Sequence, residues 1–110
     1  MKLSHLSVAA VLFLSAPLAF AADLPTFQLT VKDGYFYPET LEVPAGQKFR
    51  LAIQNAGSGP EEFESLELSK ETVLAAGVTR TLVFAPMKSG VYKFFGEFHP
   101  DTAKGQLIVK

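Results

Sequence analysis

Tyr92-Lys93-Phe94-Phe95-Gly96-Glu97-Phe98-His99-Pro100-Asp101-Thr102-Ala103-Lys104-Gly105-Gln106-Leu107-Ile108-Val109 ends the chain one residue before its terminus. An apolar and aromatic strand pattern from Val91 to Phe95 runs into Gly96, and a short loop then carries His99 before Pro100. Gly105 leads into a last strand pattern, Leu107-Ile108-Val109. Strand patterns on either side of this loop predict two strands that it connects.

The same pattern extends upstream. Pro25, Gly34, Pro38, Pro44 with Gly46, Gly57 to Pro60, Gly77, and Pro86 with Gly90 punctuate the chain at roughly ten-residue intervals, the spacing of short strands rather than helices. Phe27, Leu29 and Val31 alternate with polar residues, as do Leu41 and Val43, and Phe49, Leu51 and Ile53, so each stretch has one face for a core and one for water. With Thr79 to Phe84 and the terminal hairpin, this predicts an all-β sandwich of about seven or eight strands. Leu66 and Leu68 fall out of phase with Phe63, which predicts a bulge or a change of sheet near Ser65. The stretch from Ser69 to Ala76 fits either a strand or a helical turn.

At the N-terminus, Lys2 precedes an apolar run from Val8 to Phe20 that is short for a bilayer span and ends Ala19-Phe20-Ala21. This predicts a secretory signal over residues 1–21 and a mature domain over 22–110, exported and without a membrane span once the signal is cut. Cleavage removes one of ten basic side chains and none of the eleven acidic ones, leaving a net charge of −2, which excludes a nucleic-acid partner held by a basic surface. The chain has no cysteine, so disulfides, thiolate catalysis and thiolate metal ligation are all excluded. There is no Gly-x-Ser-x-Gly elbow around Ser65 and no phosphate-cradling glycine loop.

Val31-Lys32-Asp33-Gly34-Tyr35-Phe36-Tyr37-Pro38-Glu39-Thr40-Leu41-Glu42-Val43-Pro44-Ala45-Gly46, followed by a strand ending in Asn55, resembles the opening of cupredoxins. Pro60-Glu61-Glu62-Phe63-Glu64-Ser65 and Phe95-Gly96-Glu97-Phe98-His99 are similar to the cysteine-free periplasmic cupredoxins associated with bacterial iron-uptake systems. The resemblance implies a Greek-key β-sandwich and a periplasmic role in which Fe or Cu is bound, with Fe(II) presented or oxidised for a membrane iron permease or another uptake component. It also implies where a site would lie. Glu61 or Glu62 stands where a copper protein has its first histidine, and His99 matches the second. Gly96 takes the place of the thiolate and Lys104 roughly that of the thioether. A blue copper-thiolate centre is therefore excluded.

The remaining donors form a hard to borderline set suited to Fe(II), Fe(III), Mn(II) or tetragonal Cu(II). They are His99, Glu61, Glu62, Glu64 and Glu97, expected to converge at one end of the sandwich. Strand alternation puts Glu62 and Glu64 on one face and Glu61 with Phe63 on the other, so all three reach one ion only across a bulge. The resemblance, whose segment carries the Glu62 and Glu64 pair, implies those two, with Glu61 kept as the positional match. Met87 is a thioether candidate for Cu(I), and Lys104 a candidate ion-pair partner for Asp101 or a site carboxylate. The competing reading is a metal-free docking module that uses Tyr35, Tyr37, Phe95 and Phe98 as an exposed aromatic patch.

Overall fold

The computed structural model describes residues 24–110, so the expected signal over 1–21 lies outside the described residues. Nine strands make two sheets: β1 (Thr26–Lys32), β2 (Tyr35–Tyr37), β3 (Thr40–Val43), β4 (Phe49–Asn55), β5 (Glu61–Ser65), β6 (Lys70–Leu74), β7 (Thr79–Phe84), β8 (Gly90–Phe95) and β9 (Lys104–Val109). One sheet is ordered β2-β1-β4-β7 and the other β3-β9-β8-β5-β6. The chain crosses repeatedly between them, so β1 pairs β4 and β3 pairs β9 in parallel while the remaining pairs are antiparallel. This is an all-β sandwich, with one strand more than the upper sequence expectation.

The local wiring follows the residues. Asp33 and Gly34 take φ of 50° and 84° and join β1 to β2 in a two-residue hairpin whose twist matches the strands. The out-of-phase leucines do not mark a bulge. β5 stops at Ser65, and Leu66 to Ser69 form a four-residue turn in which Ser69 adopts a φ of 52°. Leu66 is consequently exposed, while Leu68 folds back against the core. The undecided stretch from Ser69 to Ala76 contains strand β6, paired antiparallel with β5.

The core contains two aromatic groups. Phe27, Phe49 and Phe84 pack at one end, with the Phe49 and Phe84 rings stacked at 4.9 Å. At the other end Phe36 sets its edge against Phe94 at 4.9 Å and Phe63 at 6.3 Å, and Phe63 lies 5.0 Å from Phe94. Each member of this second group lies two residues from a polar position discussed below: Phe36 from Gly34, Phe63 from Glu61, Phe94 from Gly96. The aromatic triad is thus the floor on which the loop end rests. On the open side of the sandwich, Lys70 donates from Nζ to the Val83 carbonyl at 2.9 Å and sits 5.3 Å over the Phe84 ring, bridging edge strands β6 and β7.

Truncating a fully buried phenylalanine removes its transfer energy and leaves a cavity. Phe36→Ala is expected to lower unfolding free energy by about 3–5 kcal/mol, measured by urea denaturation of the chain.

Candidate functional site

The loop end is built around Glu61. Strand β4 ends at Asn55, which is fully buried and uses every polar atom of its side chain. Its Nδ2 donates to the carbonyls of Gly59 at 2.8 Å and Leu74 at 3.1 Å, and its Oδ1 accepts from the Gly57 N–H at 3.0 Å. That clamp closes the loop over residues 56–60 and delivers Glu61 to the first position of β5. There the carboxylate is buried: Oε2 accepts from the Gly34 N–H at 2.7 Å, and Oε1 lies 2.8 Å from His99 Nδ1. A side chain at Gly34 would place its Cβ 2.8 Å from His99 Cγ and 2.9 Å from His99 Cβ, so only glycine admits the ring here.

His99 is held from its own side as well. Its carbonyl accepts from Ala103 N–H at 2.8 Å and Thr102 N–H at 3.2 Å, and Gly96 N–H donates to the Ala103 carbonyl at 2.9 Å, closing the β8–β9 loop on itself. The imidazole is 45% exposed while the Glu61 side chain is 3% exposed. The pair therefore has a buried acidic end and a solvent-facing basic end.

Glu62 and Glu64 occupy the other face of β5. Glu64 stands opposite Glu71 on β6 and opposite Phe95 on β8, and Glu97 follows two residues beyond Phe95, so four acids gather on one outer surface. Single carboxylate oxygens of Glu62, Glu64 and Glu97 all lie within 4.8 Å of one another. Glu62 is buried, and its Oε1 accepts from the Glu97 N–H at 2.9 Å. Glu64 and Glu71 also line an open cleft of about 300 Å³ with Ser65, Leu66, Ser69 and Lys70.

Crowding shows in the proton affinities. Desolvation, followed by the charges of Glu71, Glu62 and Glu97, pushes the Glu64 pKa above the ordinary value of 4.5. Glu71 is raised chiefly by a hydrogen bond to Glu62, with the Glu62 charge next. Like charges opposed across a strand pair cost stability unless something neutralises them. Oxygen donors at such spacing form a hard ligand set that a multivalent cation would relieve.

The glutamates divide as the alternation of β5 requires, while the expected meeting of His99 with Glu62 and Glu64 does not occur. Glu61 meets His99, whereas Glu62, Glu64 and Glu97 meet one another, and His99 is outside that trio. The division follows from the two-residue side-chain period of β5, which sends consecutive glutamates to opposite faces. Met87 lies at the opposite end of β8 from Phe95, where its carbonyl accepts from Gly46 N–H, so it joins neither group. Lys104 is exposed on β9 opposite Phe95; among the described residues, the ion pairs are Glu61 with His99 and Glu42 with Lys110, and Lys104 enters neither. Glu71, Gly34 and the clamp made by Asn55 were not among the sequence candidates. Glu71 could have been found by pairing β5 with a β6 strand, which the undecided reading of that segment prevented.

A copper centre of the thiolate type does not fit. A Cβ at Gly96 would approach the Glu62 carbonyl oxygen to 2.5 Å, so the thiolate position is filled by backbone, and His99 Nδ1 is already taken by Glu61.

A sandwich with a histidine-bearing loop between its last two strands and a closing clamp at the end of β4 defines a cupredoxin-like protein. The chain belongs to the Cupredoxin-like domain family, whose sequence profile matches residues 5–109. It is 44% identical over 82 residues to Uncharacterized protein RP394 of Rickettsia prowazekii (strain Madrid E), covering 74% of this chain and 66% of that protein. It is 36% identical over 110 residues to Iron uptake system component EfeO of Escherichia coli (strain K12), covering 96% of this chain but only 28% of that protein. Among solved structures, auracyanin from Roseiflexus castenholzii superposes with a TM-score of 0.65 at 14% identity, over 80% of this chain and 98% of that one. The metal-binding domain of the Streptococcus pneumoniae Cu(I) exporting P-type ATPase CopA gives 0.67 at 15% identity, over 77% and 84%. These last two share the fold.

The acidic face sets a pH test. A carboxyl whose pKa is higher folded than unfolded carries no penalty below the ordinary value of 4.5 and its full penalty above the raised folded value. Glu71→Gln is therefore expected to unfold at a higher temperature than the parent at pH 7, with the advantage gone at pH 4, as read by thermal denaturation at both pH values.

Proposed function

We propose that the protein is a periplasmic metal-handling component of iron uptake that holds an iron ion on the outer face of β5 and presents it to a membrane permease. Glu62, Glu64 and Glu97 supply the oxygen ligands, and Glu71 adds negative charge beside them. The observation that carries this reading is the approach of three carboxylates within 4.8 Å on paired strands and the loop they anchor. Buried Glu62 is fixed by the Glu97 amide, which limits how far the acids can spread apart. An all-oxygen set favours Fe(III), Fe(II) or Mn(II) over copper, since the thioether and imidazole named in the sequence lie elsewhere. The similarity to an iron uptake system component, over 96% of this chain and 28% of that protein, supports the link to iron uptake, and the secretory signal expected over residues 1–21 supports the periplasmic location.

The runner-up reading, a docking module without metal, rests on Tyr35, Tyr37 and Phe98, which are 45%, 55% and 48% exposed around the same loop end. The two readings are separated by metal titration. Anaerobic Fe(II) and chelate-buffered Fe(III), followed by calorimetry, are expected to bind at one equivalent. Glu64→Gln and Glu97→Gln are each expected to weaken binding about tenfold or more, while His99→Ala leaves that equivalent intact. Affinity unchanged by either glutamate substitution would remove the ion from this face and favour docking.

A further inference from the structure

The contact between Glu61 and His99 has a chemical consequence of its own. With Glu61 ionised its oxygens only accept, Oε2 from Gly34 N–H at 2.7 Å, and the 2.8 Å contact of Oε1 is then made by a proton on His99 Nδ1. In the neutral ring the lone pair then lies on Nε2. Free histidine favours the opposite tautomer, with the proton on Nε2. We propose that Glu61 is a positioning residue that fixes His99 as its Nδ1–H tautomer and presents Nε2 to solvent as a ligand for a borderline divalent cation, at a second site apart from the acidic face.

Three features carry this. The acid is buried at 3% exposure, so it needs the ring as a partner and holds it closely, while the ring is 45% exposed and within reach of an incoming ion. Gly34 packs directly beneath the imidazole, and Thr102 Oγ1 lies near the same point, so the ring plane is fixed as well as its proton. A histidine whose far nitrogen is bound to a carboxylate is the arrangement that makes imidazole a better metal donor, because the carboxylate raises ligand basicity and orients the ring. One protein nitrogen, with water completing the coordination shell, gives weak and exchangeable binding. Such a ligand suits transfer of an ion more than its storage, a role that rests on the metal-handling reading above. The ligand itself does not.

The test is long-range ¹H–¹⁵N correlation NMR on the full chain with Zn(II) as the probe, with His99 signals assigned by their loss in His99→Gln. The expected result is a protonated Nδ1 and an unprotonated Nε2 in the neutral ring, with Zn(II) shifting Nε2 while Nδ1 keeps its proton. Glu61→Gln is expected to weaken this Zn(II) response 10–100-fold. Glu64→Gln is expected to leave it unchanged. An Nε2–H tautomer in the parent protein, a Zn(II) shift on Nδ1, or a His99 signal indifferent to Zn(II) would overturn the proposal. These readings need only the parent protein, so they decide even if Glu61→Gln fails to fold. Loss of iron binding at the acidic face with an intact His99 response would refute the proposed function and leave this inference standing.

Discussion

The buried carboxylate of Glu61 joins three segments that are distant in sequence: the β1–β2 turn through Gly34, the start of β5, and the β8–β9 loop through His99. An acid taken out of water is tolerated only where its oxygens are bonded, and here both are. Removing either partner would leave a buried acceptor unsatisfied, so the conformation of the whole loop end is coupled to this one group. Asn55 acts in the same way one loop away, and between them the two side chains fix the path from β4 into β5. The Phe36, Phe63 and Phe94 triad beneath them provides the apolar side of the arrangement.

Because consecutive residues of a strand face opposite ways, Glu61 and Glu62 are chemically separate although adjacent. Glu61 belongs to the interior and completes a clasp. Glu62 lies on the opposite face of β5, itself buried, and begins an acidic group that continues through Glu64, Glu71 and Glu97. The first arrangement is fully hydrogen-bonded within the protein, and its effect is order. The second holds like charges close together, as the raised proton affinities of Glu64 and Glu71 record. One strand thus carries two different donor groups, oxygen-only on one face and a carboxylate with an imidazole at the end.

Much of the sandwich was legible in the sequence because its signals are local: alternation in β1, β4 and β8, and Gly or Pro at the turns. The break at Gly34 and the closing strand are of this kind, whereas the short strand β2 after Gly34 is too brief to show a period. What failed was pairing. Nothing in Glu71 distinguishes it from any exposed glutamate until β6 is laid against β5 and the residue falls opposite Glu64. The separation of Glu61 from Glu62 and Glu64 was visible in the alternation of β5, whereas which of the two sides His99 joins was not, because the path of a loop carries no such period. Leu66 looked like a phase error within a strand because a four-residue turn carries no hydrophobic period of its own.

The close approach of Gly96 to the Glu62 carbonyl bears on descent and on engineering. A sulfur at that position cannot be regained by one codon change, because the first carbon of the new side chain would meet backbone of the neighbouring strand. Recovery would require the neighbouring strand to retreat, the residue at 61 to surrender its hold on the ring, and the ring to turn over. Any intermediate on that route loses the present clasp before it gains a redox centre. Glycine at this crossing therefore keeps the 96 position free of any side-chain donor.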